Sequence, residues 1–368
     1  MITKIIGFIL FIIFTFTFCL TASETTRPVY FPDLRCQAMG GAGVVNAVGT
    51  FAYNYNPALL ASKSFKLTLA GVQVQTSTAF FDVIDYMVDH SDDFKKLDQK
   101  YTPKLTAKES DALIEQLRRD AAPLDNIWYR GQAVPSIGVN ISNFAFGIYN
   151  VSSLQIRPDV GLLIPKFQVQ VFNDLVFALG YGRQFMENLA LGANLKIIRR
   201  NSAPIMKIQV EEINGLEDTW EEGRAELKEA KSGYGLDLGA VYDLAPNLKL
   251  GATLQDFLGQ IDGINTPTNL RIGVFSQPLP RLNLAAELED FFNREGEKLF
   301  NKFHLGAEYQ VPVLRFRLGF NQGYPTAGVG LDLRLIQFNY TYYRYEITKE
   351  PGQKSEGMHM FDFQITLF

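Results

Sequence analysis

The stretch LALGANLKII, residues 189–198, places Leu189, Leu191, Ala193, Leu195 and Ile197 on one parity and Asn194, Lys196 and Ile198 on the other. A period of two sends successive side chains to opposite faces, which is the signature of a strand. The pattern recurs downstream. Tyr234, Leu236, Leu238, Ala240 and Tyr242 oppose Gly235, Asp237, Gly239 and Asp243, and Leu248 to Leu254 oppose Lys249, Gly251, Thr253 and Gln255. Leu270, Ile272 and Val274 oppose Asn269, Arg271 and Gly273; Leu282 to Leu288 oppose Asn283, Glu287 and Glu289. Phe303, Leu305, Ala307 and Tyr309 oppose His304, Gly306, Glu308 and Gln310, and Leu314 to Phe320 oppose Arg315, Arg317 and Asn321. Each strand has one greasy face and one polar face.

Such strands fit a soluble antiparallel sheet packed on a core, or a membrane barrel with lipid outside and a wet lumen. Connection lengths favour the barrel. Tight links at 142–144, 186–188, 244–247, 277–281, 310–313 and 334–335 alternate with longer, more polar ones, which is how periplasmic turns and outer loops are distributed. The expected strands are 65–81, 133–142, 144–152, 167–184, 189–200, 233–243, 248–257, 269–277, 282–291, 302–310, 314–321, 327–333, 336–347 and 357–368. The chain therefore reads as all-β, a 14-stranded antiparallel transmembrane β-barrel over residues 65–368, with its C-terminus on the short-turn side. Phe338, Tyr340, Tyr342, Tyr343 and Tyr345 read as an aromatic girdle at the lipid headgroups.

The N-terminus sets the compartment. Lys4 precedes an apolar run from Ile5 to Phe18, followed by the small residues Thr21, Ala22 and Ser23. This reads as a signal peptide, residues 1–22, cleaved after Ala22. Bulky Phe18 before Cys19 argues against lipid attachment there. With the signal removed, Cys36 is the one cysteine left, so no internal disulfide supports the fold. Phe368 looks like the terminal aromatic read by barrel assembly machinery, although Phe361, Phe363, Ile365 and Leu367 occupy the other parity.

Between signal and barrel, residues 23–64 lack long alternation. Gly40, Gly41 and Gly43 allow close backbone packing, and Asn56 before Pro57 signals a turn. A compact segment of small residues suits a plug inside a lumen. The Gly-rich stretch followed by Asn56, Pro57 and Ala58 resembles the N-terminal hatch of the FadL-like long-chain fatty-acid transporters. GINTPTNLRIGV (263–274) and FNQGYPTAGVGLDLRLIQFNYTYY (320–343) are also similar to a FadL-related branch containing the type IX secretion shuttle and spirochaete barrels. The resemblance implies a 14-stranded barrel with a luminal hatch that passes fatty acids or hydrocarbons, and it places the hatch role on Asn56, Pro57 and Ala58.

Two outer loops carry helical signals. Thr106 with Glu109 forms a capping box before Ala112, Leu113 and Leu117, and residues 216–231 are rich in Glu and Lys around Trp220. In the resembled family, outer-loop helices cradle a first ligand site, which makes Ile114, Leu117, Ile127, Trp128 and Trp220 candidate greasy contacts.

Catalytic chemistry is not legible. His90, His304 and His359 lack metal-ligand spacing, Asp89, Asp92 and Asp93 read as a solvated cluster, and there is no nucleophile elbow or phosphate loop. A net charge of −4 without a dense basic stretch argues against nucleic acid. The reading is a non-enzyme without metal or cofactor, in the bacterial outer membrane. Its partners are outer-membrane lipids, the barrel assembly machinery and a small hydrophobic ligand; the alternative is a scaffold whose loops bind a secreted protein.

Overall fold

The computed structural model describes residues 30–62, 64–97, 103–161, 165–202, the backbone of 206–209, 229–293, 296–348 and 350–367. The expected signal peptide, Trp220 and Phe368 lie outside these residues.

Fourteen strands form the wall: β1 (Ser64–Ser77), β2 (Tyr129–Ser142), β3 (Phe144–Asp159), β4 (Lys166–Met186), β5 (Leu189–Ser202), β6 (Ala230–Ala245), β7 (Leu248–Ile261), β8 (Asn269–Leu279), β9 (Leu282–Leu288), β10 (Phe303–Gln310), β11 (Leu314–Asn321), β12 (Tyr324–Asp332), β13 (Ile336–Glu346) and β14 (Ser355–Leu367). Each pairs antiparallel with its sequence neighbours, and β14 returns to β1 from Leu67↔Leu367 to Ser77↔Met358, which closes the cylinder. Closure leaves no unpaired edge, the condition a sheet must meet to stand in lipid. Two shorter strands extend the wall at the long-loop end: Met206–Gln209 pairs with the start of β4, and Ile264–Asn265 folds back on β7.

The alternation sorts the faces. On β10, Leu305 and Tyr309 are 48% and 49% exposed, whereas His304 and Glu308 are 3% and 1% exposed. The exposed set faces the barrel exterior, and together with Ile137, Phe146, Leu179, Leu318 and Phe361 it forms a continuous apolar band. Tight turns such as Ser142–Asn143, with Ser142 at φ 56°, lie at one end, and the long connections lie at the other. One tight turn, Gln322–Gly323, departs from this rule and sits at the long-loop end. The left-handed backbone at both positions, φ 52° and 82°, makes the turn.

Three expectations need correction. β1 stops at Ser77, and Phe80 begins a helix rather than continuing a strand to 81. β9 stops at Leu288 rather than 291, where Asp290 turns into the left-handed region at φ 45°. Tyr343 and Tyr345 share parity with inward Thr341 and line a luminal cavity, so the girdle on this strand consists of Phe338, Tyr340 and Tyr342. Adjacent residues cannot both face lipid.

The β1–β2 connection carries α2 (Phe80–Asp89), α3 (Ser91–Leu97) and α4 (Ala107–Ala121). The capping box at α4 is present: the Thr106 amide donates to Glu109 Oε2 (2.8 Å), and the Glu109 amide donates to Thr106 Oγ1 (3.4 Å). The Thr106 hydroxyl, which donates to Glu109 Oε2 (2.6 Å), and then the Thr106 amide hold the Glu109 carboxyl below the usual carboxylate range. The module's core is Val83, Tyr86, Phe94, Leu117 and Leu124, packed on Tyr129, Ile156, Phe167 and Val169 of β2–β4. Those strand residues share parity with lipid-facing Ile137, Phe146 and Phe177, so the module leans on the outside of the wall above the apolar band.

Candidate functional site

Residues 30–62 thread the lumen. Tyr30 lies at the long-loop end beside Thr268 and Asn269, and Ser62 leads into β1 at the short-turn end. The path is fixed locally by α1 (Leu34–Ala38), whose Asp33 cap accepts from the Cys36 amide (2.9 Å), and by 3-10 turns at Ala52–Asn54 and Pro57–Ser62. Gly40 and Gly41 follow α1 with φ +73° and +93°, a region that L residues rarely adopt.

The wall makes room with glycine. A Cβ on Gly147 would strike Tyr53, one on Gly192 would strike Pro57 and Ala58, and one on Gly239 would strike the Asn56 amide. Gly306 and Gly319 lie equally close to Met39 and Gly40. Small residues are thus required on both sides of the contact: Gly40 itself meets the backbone carbonyls of Leu305 and Phe320.

Asn56 is fully buried, and its amide nitrogen donates to Val44 O (2.9 Å), Ala240 O (3.1 Å) and Ala252 O (3.3 Å). Its Oδ1 accepts from the Ala58 amide (3.0 Å), which turns the chain at Pro57. One side chain therefore folds the segment upon itself and binds it to β6 and β7. Of the candidate hatch residues, Asn56, Pro57 and Ala58 sit at this contact against Gly192 and Gly239, whereas Gly40 and Gly41 meet β10 and β11 and Gly43 packs on Tyr55 and Cys36.

Charged contacts fasten the other side. Arg35 forks onto Glu308, with Nη2–Oε1 at 2.8 Å and Nε–Oε2 at 2.9 Å, and it also donates to Asn46 O. Glu308 further accepts from Arg317 Nε (2.7 Å) and Asn283 (3.1 Å). Glu287 accepts the Gly43 and Val44 amides at 2.7 and 2.9 Å, and Arg271 Nη2 donates to Gly41 O (3.0 Å). His304 Nδ1 donates to Gly40 O (2.6 Å) and Thr326 Oγ1 to Ala38 O (2.8 Å). The Cys36 thiol is fully buried while the segment is seated.

Across from this polar arc, the inner faces of β2–β5 carry an apolar patch, flanked by the buried Arg200–Asp174 pair and by Lys196. Phe31, Phe51, Tyr53 and Leu60 of the segment pack on Val134, Val151, Phe172, Val176 and Ile198. Phe31 stacks on Phe51 at 4.3 Å between ring centroids, with Tyr149 edge-on at 5.1 Å. Two luminal cavities flank this packing. One of about 480 Å³ at the long-loop end is lined by Tyr30, Tyr55, Tyr343, Tyr345, Arg130 and Gln255 among others. One of about 240 Å³ at the short-turn end is lined by Lys66, Gln310, Arg315, Asp332 and Gln364 with the Arg35–Glu308 pair. Phe31 borders both.

The outer-loop candidates are not gathered at this cavity. Leu117 is fully buried in the helical module, Ile127 packs against the same core, and Trp128 lies under Arg157 at 4.9 Å. Ile114 is half-buried on α4. Leu117 and Ile127 serve the module's packing. The residues missed in the sequence are Arg35, Arg271, Glu287, His304, Glu308 and Arg317; the signal available for the wall members was charge at inward parity on β8–β11.

Closed wall, apolar exterior and a lumen occupied by its own N-terminal segment define a FadL-like barrel. Among solved structures the chain is similar to the toluene transporter TodX of Pseudomonas putida, with 12% identity, 93% of this chain and 99% of that chain covered, and a TM-score of 0.53. It is likewise similar to a FadL homologue of Pseudomonas aeruginosa, with 11% identity, 94% and 99% covered, and a TM-score of 0.52. Comparison with curated proteins gives no match. A family model described as "F plasmid transfer operon, TraF, protein" matches residues 53–268, more than half of the sequence, and the chain belongs to that family.

Proposed function

We propose that this protein is an outer-membrane channel for passive diffusion of small hydrophobic molecules, with residues 30–62 as its hatch. The observation that carries this reading is the Phe31–Phe51 stack, seated in the apolar sector of the lumen and bordered by a cavity at each end. Water-filled pores exclude greasy solutes because their hydration must be kept, whereas an apolar sector lowers that desolvation barrier. A ring or alkyl chain arriving from the outer cavity would replace Phe31 against Val134, Val151 and Phe172, and would leave through the inner cavity as the segment shifts. The likeness to a toluene transporter and to a FadL homologue supports this substrate class, a hydrocarbon or a fatty acid.

The test is uptake of labelled toluene and labelled oleate by cells with and without the full chain, alongside a variant lacking residues 86–125. Faster entry of either solute with the chain, retained after the loop deletion, is the expected result. Equal rates with and without the chain would remove the proposal. A protein partner that binds the full chain and is lost with the loop would favour the scaffold reading instead.

A further inference from the structure

Helix α2 buries Val83 and Tyr86 against the barrel, yet its opposite face is also apolar: Phe81 is 62% and Val88 is 64% exposed. The two are seven residues apart, two turns of helix, and so lie on one line. Ile84 and Met87 fill the arc between this line and the buried face, while Asp82, Asp85 and Asp89 are confined to one narrow stripe. A helix that packs on one side only needs a single apolar stripe. This one has apolar surface for a second medium.

Position identifies that medium. The module leans on the outer wall, with Phe80 over Gly131 of β2, immediately above the band that includes Val72, Val74 and Ile137 on β1 and β2. α2 starts three residues after the end of β1, so Phe81 continues the membrane-facing surface of that strand. On the far side of the barrel, the loop from β9 to β10 exposes Leu299 (62%) and Phe300 (57%) directly above Phe303 of the band. Both elements extend one apolar surface in the same direction.

We propose that α2 and the 3-10 turn Leu299–Lys302 before β10 dip into the outer leaflet, so that the occupant of their exposed apolar face is lipid at the headgroup–acyl boundary. The inference rests on the barrel being membrane-embedded, which the proposed function also assumes. Interfacial helices with an apolar face of this kind sink about 5–10 Å below the headgroups. Two such contacts on opposite sides of the cylinder fix its height and tilt in the membrane.

Nitroxide labels at F81C, V88C and F300C, each in the full chain carrying C36A and reconstituted in dioleoylphosphatidylcholine vesicles, test this. L318C on the lipid face and E115C on exposed α4 serve as references. Collision with oxygen reports lipid, and collision with a water-soluble nickel chelate reports water. The expected result is an oxygen-to-nickel ratio at 81, 88 and 300 several-fold above that at 115 and approaching that at 318. Water-like ratios at the three sites with a lipid-like L318C would overturn this inference alone. Exclusion of both reagents, the mark of a protein contact, would overturn it too. A water-like L318C would instead remove the membrane-embedded reading beneath it.

Discussion

Replacing Glu308 by Ala tests whether charge holds the segment in the lumen. Glu308 is 1% exposed and joins Arg35 of the segment to Arg317 of the wall at 2.7–2.9 Å. Without the carboxylate, two guanidiniums, each less than a tenth exposed, face each other. Removing one partner of a buried ion pair costs about 3–5 kcal/mol. Displacing the segment would let both cations hydrate, so this cost falls on the docked state. At about 1.4 kcal/mol per tenfold, the displaced state gains roughly a hundredfold to a few thousandfold. Single-channel recording in planar bilayers reads the outcome as open probability, with E308A far above the parent chain. R35A strands no second cation, because Glu308 keeps Arg317 and Asn283, and it opens less. R35A/E308A removes one of the two stranded charges and should open less than the sum of the single effects requires, a non-additivity expected of contacting residues. Equal open probability in all four proteins would refute the reasoning, as would strict additivity.

Cys36 offers an independent readout of the same displacement: maleimide labelling should be slow in the parent and accelerate in E308A, because the thiol is exposed only when the segment leaves. G239V should accelerate it as well, since the new side chain occupies the place of the Asn56 amide and Pro57, whereas G263V, at a glycine with open space around it, should alter loop backbone without labelling Cys36. On the exterior, L318R should destabilise the folded barrel in vesicles by about 2–4 kcal/mol by urea titration, the cost of an arginine near the bilayer midplane. At the outer module, the capping contribution of Glu109 follows its depressed carboxyl, which accepts from Thr106. It is fully present above the unfolded carboxylate range and is lost as pH falls through the lower folded value. The protection of amides 107–110, taken relative to their intrinsic exchange rate at each pH, should therefore fall on acidification in the parent, and T106A should show low protection already at neutral pH.

The wall was legible because lipid and lumen impose opposite demands on neighbouring residues. Leu189 to Ile198 announced β5, and the same rule fixed all fourteen strands to within a few residues at most ends. It failed where a strand end meets another apolar environment. The expected first strand runs to 81, but Phe80 begins a helix that buries Val83 and Tyr86 in the module's core, and an apolar run does not tell oil in a membrane from oil in a small core. The same ambiguity made Leu117 look available to a ligand. The hatch motif around Asn56 was visible as a turn, yet its attachment to Ala240 and Ala252 was not, because the partners are backbone carbonyls about 190 residues away and carry no sequence signal. Wall glycines such as Gly239 and Gly306 fall on the polar parity in sequence; that they are absences of side chain, shaped to the segment, emerges only once the segment is seated.

The two halves of the seat differ in a way that matters for release. Apolar packing between Phe31, Phe51 and the β2–β5 face is non-directional, and an incoming apolar solute can substitute for it with little net cost. The contacts of Arg35 to Glu308, Glu287 to the Gly43 and Val44 amides, and Asn56 to two wall carbonyls cannot be replaced by a hydrocarbon, which offers no donor or acceptor. A greasy ligand therefore competes for one side of the segment and leaves the other tethered. On the proposed function this yields a hatch that swings rather than one that is expelled. The polar clamp keeps it within reach of its seat, so it can reclose when the solute has passed.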